Sequence, residues 1–131
     1  MFRKIKYFFF MASFLFLGTG FCKDVWKAYV TCDLGGGIHA GVIPIDIDTQ
    51  LPETPIPLNL NAAYGSVVVS ADGLMAYVAC FSAVVPIDLL SGEAFSPIVI
   101  PSMGNGIAIT PDGNWVYVTC YNSGKLIQIN T

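Results

Sequence analysis

The sequence predicts an all-β protein of small antiparallel sheets stacked face to face, the four-stranded blades of a β-propeller. Three observations carry this. Ile107 to Cys120 (I-A-I-T-P-D-G-N-W-V-Y-V-T-C) reads as two strands joined by a tight turn, and Val67 to Cys80 (V-V-V-S-A-D-G-L-M-A-Y-V-A-C) says nearly the same 40 residues earlier. A third, damaged copy ends at Ala28-Tyr29-Val30-Thr31-Cys32. The second strand of each copy is apolar on both faces rather than alternating, so it must be covered from both sides. Face-to-face stacking of small sheets with a period near 40 satisfies that requirement.

The turns are read from their chemistry. Thr110-Pro111-Asp112-Gly113 suits a type I turn followed by a left-handed residue, and Ser70-Ala71-Asp72-Gly73 keeps the Asp and the Gly. Gly73 and Gly113 are expected at positive φ, where a Cβ would be strained. The flanking residues are β-branched and aromatic, as strands prefer.

The unit from Gly65 to Gly104 then divides into four strands near Ser66–Ser70, Met75–Cys80, Val84–Asp88 and Phe95–Ile100. The following unit offers Gly106–Thr110, Trp115–Cys120 and Lys125–Asn130. The preceding one offers Lys27–Cys32, Val42–Ile47 and Pro55–Leu60, and its Pro44-Ile45-Asp46 matches Pro86-Ile87-Asp88. Pro52, Pro55 and Pro57, like Pro97 and Pro101 later, suit an outer edge strand, where proline is tolerated and discourages edge pairing. The domain reading is a signal segment over 1–20 and a partial propeller over 21–131. The propeller part comprises an incomplete blade (27–61), a complete one (65–104) and another incomplete one (105–131).

Pro111-Asp112-Gly113, then Tyr117-Val118-Thr119, then a strand ending Ile129-Asn130-Thr131, resembles the YVTN family of β-propeller repeats. Relatives in that family include surface-layer-type and lactonase-like seven-bladed proteins. The resemblance covers roughly Lys27 to Thr131. Where the family has Asn after Tyr-Val-Thr, this chain has Cys in all three copies: Cys32, Cys80 and Cys120. The departure leaves the fold expectation intact and removes any role the family gives that Asn.

Met1 to Gly20 stands apart. Arg3, Lys4 and Lys6 make a basic start, Tyr7 to Leu17 an apolar run, and Gly18-Thr19-Gly20 a small-residue cleavage site, the pattern of a secretory signal helix. The apolar run is short for a membrane span, which needs about 20 residues. Membrane attachment is therefore expected only if this segment stays uncleaved, and the localisation expected is periplasmic or extracellular. Without residues 1–20 the charge is −6, from Lys23, Lys27 and Lys125 against nine acids. An acidic chain argues against nucleic acid as a partner.

Asp33 to Ala40 (D-L-G-G-G-I-H-A) is the most unusual loop, with six more residues before Asp46 than the next copy has between Cys80 and Asp88. It lacks the Lys and following helix of a phosphate-cradling loop. His39 is the only histidine and cannot alone make a His-rich metal site. Asp46 and Asp48 share a strand face, but a calcium site wants more oxygen ligands in a tight loop. No metal and no cofactor is expected. Cys32, Cys80 and Cys120 occupy equivalent places in successive blades, and a disulfide needs Cα atoms within about 7 Å. They are expected as free thiols that pack as small apolar groups.

No constellation of nucleophile, base and acid stands out for catalysis. In an up-and-down sheet, successive turns fall at opposite ends, so turns after the second strand share an end with the links between blades. That end gathers Asp33, His39, Asn61, Tyr64, Asn105 and Asn122, the candidate ligand-binding residues. Two and a half blades do not close a ring of four to eight, so other propeller blades or copies of this chain are expected partners, beside an unidentified protein or small-molecule ligand. The leading expectation is an exported, non-enzymatic binding or scaffold module, truncated or fragmentary as a repeat protein. The alternatives are a lactonase-like hydrolase completed by further blades, and an inactive remnant.

Overall fold

A computed structural model describes residues 26–33, 40–58, 60 and 65–131. The expected signal helix lies outside these residues. Among the described residues there is no helix; eleven strands form three antiparallel sheets. The first sheet has the order β1 (Lys27–Cys32), β2 (Gly41–Asp46), β3 (Ile56–Pro57). The second runs β4 (Val67–Val69), β5 (Met75–Ala79), β6 (Ala83–Asp88), β7 (Glu93–Ala94), with β8 (Ile98–Val99) also on β6. The third is β9 (Gly104–Ile109), β10 (Trp115–Cys120), β11 (Lys125–Asn130). Each sheet is an up-and-down meander.

Burial follows the two-faced pattern of β5. Ala76, Val78 and Cys80 point toward the first sheet, in a cluster with Val42, Ile56, Leu58, Val85 and Ile87. Tyr77 and Ala79 point the other way and pack with Val116, Val118, Cys120 and Ile129 of the third sheet. Ile87, Val42, Val78, Val84, Val85, Val116 and Val118 are fully buried, and each such side chain contributes about 1.5–3 kcal/mol. The sheets are also tied along one row of backbone. Thr31 Oγ1 donates to the Gly65 carbonyl at 2.9 Å, and Ser66 Oγ donates to the Asn105 carbonyl at 3.1 Å. Alanine at position 79 stands where Thr31 stands in the repeat, and Ser66 supplies the link that its hydroxyl would have made.

The Asp-Gly turns form as their chemistry demands. Gly73 and Gly113 have φ of 73° and 75°. In the first turn the Ser70 hydroxyl donates to Asp72 Oδ1 at 2.5 Å and accepts the Met75 N–H, while the Leu74 N–H donates to the same carboxylate. Thr110, Asp112, Asn114 and Trp115 repeat the pattern. A second class of turn follows β2 and β6. Asp88 accepts the Leu90 N–H at 2.8 Å, Asp46 accepts the Thr49 N–H at 2.9 Å, and Gly92 has φ 73°. The residue equivalent to Gly92 in the first sheet is Gln50, at φ 59° the only described non-glycine with positive φ.

The outer strands differ from expectation. Of the run expected at Phe95–Ile100 only β8 is strand, and β7 lies before it at Glu93–Ala94; the chain carries an extra residue between the two. Ile87 faces Ala94 but Val84 faces Ile98, so three steps on β6 oppose four on the outer chain. The first sheet has the same offset, Ile45 facing Pro52 and Val42 facing Ile56. In both, a proline carbonyl on the middle strand accepts at the bulge: Pro44 from the Glu53 N–H at 2.8 Å, and Pro86 from the Phe95 N–H at 2.9 Å. Pro97, lacking an N–H, sits inside the irregular stretch.

The three described cysteines are free, with Cys80 and Cys120 buried and Cys32 partly so. Cys80 lies in the cluster between the first two sheets and Cys120 in the cluster between the last two. The second sheet therefore separates them. Burial pushes the Cys80 thiol up to about 12.

Three outcomes follow for the isolated protein. Gln50→Gly should raise stability by about 0.5–1 kcal/mol in chemical denaturation, since it relieves a left-handed side chain at a modest entropic cost. Asp112 is held below its ordinary 3.8 chiefly by the Thr110 hydroxyl, then by the Asn114 N–H. Its share of stability is present above the unfolded value and fades as pH falls through the lower folded one. Thr110→Val should accordingly cost stability at neutral pH, and its deficit against wild type should narrow as pH drops below 3.8. Finally, burial keeps the Cys80 thiol protonated at pH 8. Native alkylation should leave it unmodified until denaturant is added, and a cross-linked peptide joining Cys80 to Cys120 would refute the assignment of the thiols to separate clusters.

Candidate functional site

The two ends of the sheets differ in what their polar groups are doing. At one end lie the Asp-Gly turns and the turns after β2 and β6. Their carboxylates, on Asp46, Asp72, Asp88 and Asp112, accept backbone N–H groups of their own loops. Asp72 and Asp88 are, like Asp112, held below the usual carboxylate range. The Ser70 hydroxyl is the main cause for Asp72, and the Leu90 N–H for Asp88. These acids are anionic turn-formers, poorly suited to shuttle protons at neutral pH.

The opposite end carries the β5–β6 and β10–β11 turns and the links between sheets. Asp33 is exposed just beyond β1, beside the row in which Thr31 reaches Gly65. Asn105 is exposed at the start of β9, with its carbonyl taken by Ser66. Asn122 is exposed in the β10–β11 turn. That turn is fastened to the link before β9 twice: the Ser102 and Ser123 hydroxyls are 2.9 Å apart, and the Tyr121 N–H donates to the Met103 carbonyl at 2.9 Å. The structure thus brings Asn105 and Asn122 into one neighbourhood on the third sheet and sets Asp33 at the same end of the first. His39, Asn61 and Tyr64, with the Gly35-Gly36-Gly37 loop, lie outside the described residues.

One feature escaped sequence reasoning. A groove of about 600 Å³ opens between the first two sheets, at the end of the Asp-Gly turns. Lys27, Tyr29, Glu53 and Ile56 line it from the first sheet, and Leu89 to Gly92 from the second. Lys27 Nζ lies 2.8 Å from Glu53 Oε2, with both side chains over a third exposed. The hydrogen bond to Glu53 raises the Lys27 ammonium, and burial raises the Tyr29 phenol. Both stay protonated at neutral pH, so these two residues present donors to the groove beside the Glu53 carboxylate. Lys27 and Glu53 are far apart in sequence and meet across β2, brought together by the Lys27–Asp46 register and the Ile45–Pro52 bridge. Among the described residues no three His, Cys, Asp or Glu side chains gather where they could hold a metal ion.

No protein-family model matches the chain, and neither does the sequence of any curated protein. Solved structures do resemble it. Hydrazine synthase of Kuenenia stuttgartiensis matches with a TM-score of 0.69 and 22% identity, over 80% of this chain and 29% of that one. The dihydro-haem d1 dehydrogenase NirN, solved in complex with DHE, matches with a TM-score of 0.60 and 25% identity, over 78% of this chain and 21% of that one. Both are β-propeller proteins. The chain spans less than a third of the length of either. At these identities the likeness concerns the fold: three sheets of this chain stack as propeller blades do.

Proposed function

We propose that the chain is an exported propeller segment of the YVTN type that acts as a binding or scaffold module, with its ligand-contacting surface at the end that bears Asp33, Asn105 and Asn122. The observation that carries this reading is the exposure of Asn105 and Asn122 in one neighbourhood, at the end opposite the Asp-Gly turns. At the Asp-Gly end the carboxylates are consumed by turn hydrogen bonds. At the other end Asp33 is exposed just beyond β1, and Asn122 is exposed on a loop that the Ser102–Ser123 contact fastens in place, where binding residues are commonly found. The motif Pro111-Asp112-Gly113 followed by Tyr117-Val118-Thr119 supports the family, and the Arg3–Gly20 pattern supports export. The ligand is a protein or small molecule rather than nucleic acid, in keeping with the acidic composition.

A second reading has one observation in its favour: both structural neighbours are named as enzymes. An enzymatic role would then belong to a larger assembly that supplies the reacting groups.

Screening the secreted protein against peptide and metabolite libraries by thermal shift tests the module. Any ligand found should lose about tenfold or more in affinity in the Asp33→Ala, Asn122→Ala double variant, as expected when exposed hydrogen-bonding groups are removed. It should bind the Asp72→Asn control normally. Loss in the control with retention in the double variant would move the site to the other end. In the same preparation the product should begin after Gly20; a full-length product retained in the cytoplasm would overturn export.

A further inference from the structure

We propose that the groove between the first two sheets binds a neutral saccharide, whose hydroxyls bridge the Lys27–Glu53 pair and the Tyr29 phenol. This groove lies at the opposite end of the sheets from Asn105 and Asn122, so the two sites are independent. The repeat permits a comparison within the molecule. The Lys27–Asp46 register matches Met75–Asp88, so Lys27 and Tyr29 stand where the second sheet has Met75 and Tyr77. Glu53 stands where that sheet has Phe95, since each donates its N–H to the proline of its middle strand, Pro44 or Pro86. The scaffold thus accepts methionine, tyrosine and phenylalanine at these three places. In the first sheet two of the three are charged instead. An exposed ion pair adds little to stability, and turn chemistry asks for neither charge. The pair is therefore explained by what the groove holds rather than by what the sheet needs.

Size and chemistry select the ligand. The groove's volume of about 600 Å³ falls inside the range of small-molecule sites, about 300–1,000 Å³. Pro44, Pro52 and Ile56 add apolar surface from the first sheet, and Leu89 and Leu90 from the second. Such surface suits the C–H faces of a sugar ring. On the polar side Lys27 and Tyr29 donate and Glu53 accepts, with the ammonium and carboxylate 2.8 Å apart. Among the described residues no hydrogen bond engages the Tyr29 hydroxyl. A hydroxyl both donates and accepts, so neighbouring hydroxyls of one sugar can give to Glu53 while accepting from Lys27 or Tyr29. Charge disfavours ionic ligands. Glu53 balances the Lys27 ammonium and Asp46 acts on it as well, so an anion would meet a net negative site. A cation would have to compete with Lys27 for the carboxylate. The nearby carboxylates of Asp46 and Asp88 are engaged in their own turns and offer a cation no alternative.

Saturation-transfer NMR on the purified full chain tests this with maltose, cellobiose and lactose as neutral probes. At least one should bind with a dissociation constant of about 1 mM or below. Glucuronic acid, glucosamine and the zwitterion alanyl-alanine should bind about tenfold more weakly or worse. Tyr29→Phe should weaken sugar binding about fivefold, and Glu53→Gln about tenfold, as hydroxyl and carboxylate hydrogen bonds are lost. The double variant Lys27→Met, Glu53→Phe installs the second sheet's residues at these positions. It should keep its sheets by far-UV circular dichroism and lose sugar binding altogether; should it unfold, Tyr29→Phe, which removes one oxygen atom, still decides. The Asp33→Ala, Asn122→Ala variant should bind the sugar normally, which separates this groove from the site at the other end. Silence of all three neutral probes at about 10 mM, with the wild-type chain folded, would overturn the proposal. So would tighter binding of any charged probe or of the dipeptide, or sugar binding untouched by both Tyr29→Phe and Glu53→Gln.

Discussion

Burial of β5 on both sides is the constraint from which the rest of the architecture follows. A strand whose successive residues are Ala76, Tyr77, Val78 and Ala79, all buried, has no face to give to water. It therefore needs hydrogen-bonded neighbours in its own sheet and a further sheet against each face. The alternation of small and large residues sets how closely those sheets approach. Gly65 marks the tightest point. A Cβ on it would fall 1.6 Å from the Ala79 carbonyl oxygen, so the entry into the second sheet requires glycine on steric grounds alone. Polar links then fix the angular order of the sheets: Thr31 to Gly65, and Ser66 to Asn105. These bonds cost little, because the carbonyls they use lie at strand ends where no ladder partner competes.

Most of this was legible in the residues. Asp-Gly pairs bracketed by β-branched runs fixed the hairpins, and β10 and β11 fall on the expected boundaries, Trp115–Cys120 and Lys125–Asn130. The apolar two-sided runs announced stacking, and the repeat announced which faces are equivalent. The outer strands were less legible because a bulge is a property of backbone register. Phe95 to Ile100 reads as a single strand, and only the offset between the Ile87–Ala94 and Val84–Ile98 pairs shows the extra residue. Gln50 was hidden for a related reason: side-chain pattern does not report φ, and glutamine gives no sign that it stands in for Gly92.

The candidate site was legible only in its topology. The rule that alternate turns share an end puts Asn105 and Asn122 at one end, and the Ser102–Ser123 contact joins their loops there. What a loop residue touches depends on neighbours brought in from other sheets, and no local pattern encodes those. The Lys27–Glu53 groove illustrates the point from the other side. Each residue looks like an ordinary surface charge, and only the three-stranded order of the first sheet brings the ammonium and carboxylate together beside Tyr29.

The bulged outer register also bears on how the protein avoids misassociation. In the first two sheets the outermost strands are β3, β7 and β8, each two residues long. Prolines and an extra residue interrupt the run of free N–H and C=O groups, so another chain finds almost no ladder to extend.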